Sequence, residues 1–137
     1  MSASDHLNFL IADDSVLDRS LMLAYVQSHN WSAISVFDGA AAVQQARVER
    51  FDAMIFDFNM PHLNGLEAIH QIRQAGPNMD TPCLLCTAGS TRPIEAQLSG
   101  AENVELFRKP LLHSAFVSWS SRLRSQLAAP FGRMAMA

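Results

Sequence analysis

The chain predicts an α/β domain: five parallel strands in one sheet, with helices on both faces. Three observations predict it. Short apolar runs alternate five times with longer segments of helical periodicity, the pattern of βα units joined by right-handed crossovers. The run Ala53-Met-Ile-Phe56 is continuously apolar, as a strand buried on both faces is. The third observation is where the polar residues fall. Asp13-Asp14, Asp57, Thr87 and Lys109 each close an apolar run, at the ends that a parallel sheet gathers on one rim.

Bulk properties agree. A chain of 137 residues suits one domain with one core, and 49 % hydrophobic against 17 % charged residues supplies a doubly covered sheet. A net charge of −3, a pI near 5.9 and the lack of any Lys/Arg run argue against nucleic acid as a partner. The start, Met1-Ser-Ala-Ser-Asp-His6, lacks the basic and apolar regions of a signal peptide, and no apolar run approaches the ~18 residues that span a bilayer. A cytoplasmic protein without membrane contact is expected. Residues 1–6 are expected to form a flexible N-terminus, 7–127 the domain and 128–137 a loose tail. The initial Met and the short tail are expected of a whole chain rather than a cut piece.

Leu7–Ala12 is the first strand, ending in Asp13-Asp14. Ser15 can cap the helix that follows, where Leu17, Leu21, Ala24 and Tyr25 recur at helical spacing to about His29. Ala33–Phe37 is the second strand; Asp38 closes it and can cap an Ala-rich helix to about Glu49. Phe51–Asp57 is the central strand. Its apolar run ends abruptly in one carboxylate, followed by a loop with Asn59, Pro61 and Gly65. Leu66, Ile69 and Ile72 mark the third helix, stopped at Gly76-Pro77. Cys83–Cys86 is the fourth strand, ending in Thr87-Ala88-Gly89.

Residues from Arg92 to Ser99 predict a short helix, with Pro93 tolerated in its first turn and Gly100 ending it. Val104–Phe107 is the fifth strand, closed by Lys109-Pro110. Leu112, Phe116, Trp119, Leu123 and Leu127 then trace one face of a last helix. The strand order expected of such a doubly wound sheet is the flavodoxin-like 2-1-3-4-5.

Cys83 and Cys86 have C-x-x-C spacing, but along a strand positions three apart face opposite ways. Two buried, unreactive thiols are therefore expected rather than a metal or redox site. His62 is read as a loop-surface histidine, and Phe116 and Trp119 as core.

The chemistry follows from the gathered rim. Three carboxylates in one crevice repel one another unless a cation offsets them, and such oxygen ligands suit Mg²⁺. Asp14 and Asp57 are expected as direct ligands, Asp13 as a helper through water, and the backbone carbonyl of Asn59 as a further oxygen. Asp57 can then act as a nucleophile toward a phosphoryl group and form an aspartyl phosphate. Lys109 would pair with one phosphoryl oxygen and the Thr87 hydroxyl would donate to another.

With these residues in place, the chain resembles the receiver domains of two-component response regulators, in particular the single-domain kind. The matching residues are Asp13-Asp14, Asp57 in Asp-Phe-Asn-Met-Pro, Gly65, Thr87-Ala88, Gly100-Ala101 and Lys109-Pro110, over roughly residues 7 to 127. The resemblance implies phosphorylation of Asp57 by a histidine kinase or histidine phosphotransfer protein. It also implies a cis Lys109-Pro110 bond and no enzyme activity beyond self-phosphorylation from a donor and autodephosphorylation.

Two departures stand out. The family usually carries an aromatic residue three positions before the Lys, which changes rotamer on activation; here Leu106 stands there and the aromatic is Phe107. The segment between Thr87 and Gly100 is also shortened, which predicts a short, shifted or partly unwound fourth helix. Residues 91–127 are the expected output face, toward a downstream protein, since no length remains for a DNA-binding domain. Two alternatives stand beside this reading: a receiver-fold binding module that signals independently of phosphorylation, and a small phosphatase of the haloacid-dehalogenase type. The latter needs a second acid two residues after the nucleophile, where this chain has Asn59.

Overall fold

A computed structural model describes residues 6–98 and 101–127. Five βα units follow one another: β1 (Asn8–Ala12), α1 (Val16–Ser28), β2 (Ser32–Val36), α2 (Gly39–Val48), β3 (Ala53–Asp57), α3 (Gly65–Gln74), β4 (Cys83–Thr87), α4 (Arg92–Gln97), β5 (Val104–Arg108) and α5 (His113–Leu127). All strand pairs are parallel, in the order β2-β1-β3-β4-β5. The expected sheet and its strand order are therefore present. The residues expected as the N-terminus (apart from His6), the end of the fourth helix (Ser99, Gly100) and the C-terminal tail lie outside the described residues.

Side-chain alternation divides the core into two layers. Leu10, Ala12, Met54, Phe56 and Leu85 pack against α2, α3 and α4, whereas Phe9, Ile11, Ile55, Leu84 and Cys86 pack against α1 and α5. Every residue of β3 and β4 is buried. Burying side chains of the size of Phe56 and Ile55 stabilises the fold by about 1.5–3 kcal/mol each. Cys83 lies in the first layer and Cys86 in the second, both as free thiols. Burial pushes both thiols up, Cys86 to about 12, so neither is a thiolate at neutral pH.

Several boundaries differ from expectation by a residue or two, and two packing faces differ in kind. In α1 the buried residues are Met22 and Val26, while Leu17 and Leu21 are 79 % and 42 % exposed and Ala24 is exposed. Leu21 to Val26 is an unbroken apolar run that passes right round the helix, so its own periodicity left the inward face open. Tertiary contacts chose: Tyr25 donates its hydroxyl proton to the Leu111 carbonyl at 2.9 Å, and Met22 and Val26 share a cluster with Phe9 and Trp31. At α5, Leu112 precedes the helix and is exposed; the adjacent Leu111 is buried in its place. Phe116, Trp119 and Leu123 are buried as expected.

Helix starts follow local chemistry. Ser15 accepts from the Asp18 amide at 3.2 Å and Asp38 from the Ala41 amide at 2.7 Å. Asn64 and Glu67 form a reciprocal capping box on α3. By contrast α4 has six residues and no side-chain cap, in keeping with the short fourth helix expected. No helix among the described residues is long and apolar enough to cross a membrane.

Candidate phosphoacceptor site

The rim at the C-terminal ends of β1, β3, β4 and β5 carries the polar groups. Asp13 continues β1: its amide donates to the Val36 carbonyl at 3.2 Å, which fixes the backbone and turns the side chain inward. That carboxylate is fully buried. Its Oδ1 accepts from the Ser15 amide at 2.9 Å and its Oδ2 from Lys109 Nζ at 3.0 Å. Asp14, the next residue, is exposed.

Asp57 is the last residue of β3 and only 4 % exposed. The loop after it is tightly folded back. The Phe58 amide donates to the Cys86 carbonyl at 2.7 Å and the Gly65 amide to the Phe58 carbonyl at 2.9 Å. Gly65 has to lack a side chain: a Cβ there would collide with the Asp57 carbonyl and sit 2.7 Å from Leu85 Cδ1. Thr87 ends β4, buried, with its Oγ1 accepting from the Gly89 amide at 3.1 Å. The Lys109 amide donates to the Thr87 carbonyl at 2.7 Å, and the Lys109-Pro110 bond is cis.

These elements bring Asp13, Asp14 and Asp57 together, each offering a carboxylate oxygen within 4.8 Å of the others. Lys109 Nζ reaches into the same place and pairs with Asp18 at 2.8 Å, Asp13 at 3.0 Å and Asp57 at 3.2 Å. Three carboxylates thus share one ammonium, with a fourth, that of Asp14, beside two of them. The Asp57 carboxyl is raised from 3.8 to about 6, first by burial and then by the Asp13 charge, with Lys109 and the Asn59 amide opposing. Burial disfavours the charge on Lys109, but hydrogen bonds to Asp18 and Asp13 and the Asp57 charge outweigh it and push its pKa up. The ammonium is therefore permanent, and the excess of negative charge is what a divalent cation would offset.

Asn59 lies on the exposed loop after β3. Leu106 and Phe107 sit half-buried on the edge strand β5 and face opposite layers, Leu106 toward α2–α4 and Phe107 toward α1 and α5. His62 is exposed, with φ +67° in the loop. A cleft of about 410 Å³ beside α3, lined by residues including His70, Arg73 and Glu102, takes in none of the gathered carboxylates.

One member of the constellation was missed by sequence reasoning. Asp18 looks like an ordinary acid in the first turn of a helix, where the dipole favours it. The available signal was its spacing: it stands one helical turn after Asp14, in a chain that already gathers acids at that rim.

Comparison with known proteins agrees with this fold. The family model of the response regulator receiver domain matches residues 9–118. The autoinducer 2 sensor kinase/phosphatase LuxQ of Vibrio harveyi is 26 % identical over 122 residues, covering 86 % of this chain and 14 % of LuxQ. The probable transcriptional regulatory protein TcrX of Mycobacterium tuberculosis is 28 % identical over 91 residues, 66 % of this chain and 37 % of TcrX. The chain thus spans well under half the length of these relatives. Among solved structures, the receiver domain of the sensor histidine kinase PA1611 from Pseudomonas aeruginosa, with a magnesium ion coordinated in its active-site cleft, superposes with a TM-score of 0.78. It is 23 % identical and covers 88 % of this chain and 98 % of its own. The Vibrio cholerae chemotaxis protein CheY4 gives 0.78 at 24 % identity, covering 86 % and 98 %.

Proposed function

Because the chain belongs to the response regulator receiver domain family, we propose that it is a phosphoacceptor switch of a two-component or phosphorelay system. Asp57 is the acceptor, and the observation that carries this is the gathering of Asp13, Asp14 and Lys109 around its buried carboxylate. The donor is a histidine kinase or histidine phosphotransfer protein. The work is done in the cytoplasm through protein–protein contacts, with residues 91–127 as the output face.

The donor set fits Mg²⁺: hard carboxylate oxygens, one of them solvent-facing, in negative excess. Asp14 and Asp57 would hold the ion, with Asp13 behind them and the Asn59 carbonyl beside them. When bound, the ion neutralises charge on the incoming phosphoryl group and on the carboxylates. The chain's own residues do the rest. An Asp57 oxygen attacks phosphorus as the phosphorus–nitrogen bond of a phosphohistidine breaks; the bonding pair returns to the imidazole, which takes up a proton. Lys109 holds a phosphoryl oxygen by charge, and the Thr87 hydroxyl donates to another. Ala88 and Gly89 leave the phosphoryl group accessible to water, which returns Asp57 to a free carboxylate and releases phosphate.

The direct test is intact mass after incubation with Mg²⁺ and a small-molecule phosphodonor. One added phosphoryl group is expected, lost in Asp57→Asn and in EDTA. No adduct and no Mg²⁺ binding would overturn the switch. A second function, a receiver-fold binding module indifferent to phosphorylation, is favoured by Leu106, an aliphatic residue where the family's switch aromatic stands. It predicts partner binding that the same phosphodonor leaves unchanged.

A further inference from the structure

Lys109 is gripped by three carboxylates, and its shortest contact is to Asp18, which the phosphoacceptor chemistry does not use. Nζ lies 2.8 Å from Asp18 Oδ2, against 3.0 Å to Asp13 Oδ2 and 3.2 Å to Asp57 Oδ1. Asp18 is presented by a fixed helix end, since its own amide is capped by Ser15 Oγ at 3.2 Å. Its side chain is 39 % exposed, whereas those of Asp13 and Asp57 are 0 % and 6 %.

Asp13 and Asp57 also belong to the proposed cation site. The ammonium touches both, and it competes with a divalent cation for the same oxygens. Asp18 pulls that ammonium toward α1. We infer that Asp18 is a positioning residue: it shares the Lys109 ammonium with Asp13 and Asp57, and so loosens its hold on the buried oxygens that a divalent cation must also reach. The inference rests on the magnesium site proposed above.

Neutralising Asp18 has two consequences of the same sign. It removes a negative charge near the site, and it leaves Lys109 wholly to the cation's ligands. The first is a partly screened surface effect and small. The second vanishes once Lys109 is gone, so a double-mutant cycle separates them.

The experiment is calorimetric titration of the full chain with magnesium chloride, without phosphodonor. Asp18→Asn is expected to raise the Kd about tenfold, within the range of groups sharing one ion-pair network. Asp18→Glu, which keeps the carboxylate, recovers most of that loss. Lys109→Met tightens binding, and in that background Asp18→Asn changes the Kd by less than about twofold. An unaltered Kd in Asp18→Asn, or an equal loss with and without Lys109, overturns the positioning role and leaves the site intact. No Mg²⁺ binding by the unsubstituted chain overturns the site and the inference together.

Discussion

The two rims of the sheet bury polar side chains in opposite ways. At the N-terminal rim Asn78 is fully buried and uses all of its hydrogen-bonding capacity. Its Oδ1 accepts from the Phe51 amide at 2.9 Å and the Thr81 hydroxyl at 2.8 Å, and its Nδ2 donates to the Ala46 and Glu49 carbonyls at 2.7 Å each. This neutral network ties the end of α2, the start of β3 and the loop before β4 into one unit. At the C-terminal rim the buried carboxylates are unbalanced, with Asp13 and Asp57 both leaning on a single ammonium shared with Asp18. One rim is saturated and stabilises the fold; the other is left with unmet charge, and unmet charge is what binds a cation and a phosphoryl group.

The largest test of this contrast is Asn78→Ala. It leaves the Phe51 amide and two carbonyls without their partner, and about 2–4 kcal/mol of unfolding free energy is expected to be lost in urea titration. Phosphoryl uptake by the folded variant should be unchanged. A loss under about 1 kcal/mol would break the contrast.

Asp57→Asn is expected to move stability the other way. The folded-state pKa of Asp57, about 6, lies above its ordinary 3.8, so folding favours its protonated form. That contribution is complete below the unfolded value and is lost as pH rises through about 6. In metal-free buffer near neutral pH the variant should therefore be more stable by about 1–3 kcal/mol, a gain that shrinks to nothing as pH falls below about 4. Thermal melts across pH in EDTA measure it, and a gain independent of pH would exclude ionisation as its cause.

The smallest stability effect belongs to Asp14→Asn. Its exposed carboxylate carries little folding energy, so the urea midpoint should imply a change within about 0.5 kcal/mol. Mg²⁺ affinity, by contrast, should fall at least about tenfold, as for loss of a metal-supporting group. A variant that lost stability but kept the ion would invert the assignment of the rim.

Much of this was legible in the chain, and the illegible parts share a cause. Strands β3 and β4 announced themselves because they are buried on both faces, so that nearly every residue had to be apolar until the polar rim. The caps at Ser15 and Asp38 were legible because an N-cap is a contact between near neighbours. The inward face of α1 was not, because Leu17, Leu21, Met22 and Val26 are all apolar and only Trp31, Phe9 and Tyr25's bond to Leu111 distinguish them. Leu112 failed for the same reason beside its neighbour Leu111.

By itself, then, the sequence determined the parallel sheet and the gathering of Asp13, Asp14, Asp57, Thr87 and Lys109 at one rim. Period and position suffice for that, since a parallel sheet sends every strand's C-terminal end to the same edge. Only the tertiary structure decided how the charges are shared. That Lys109 bonds most closely to Asp18, 91 positions away, is a matter of ångströms between α1 and the β5–α5 connection. Electrostatic energy depends on such distances and on burial, and neither is written in the order of residues.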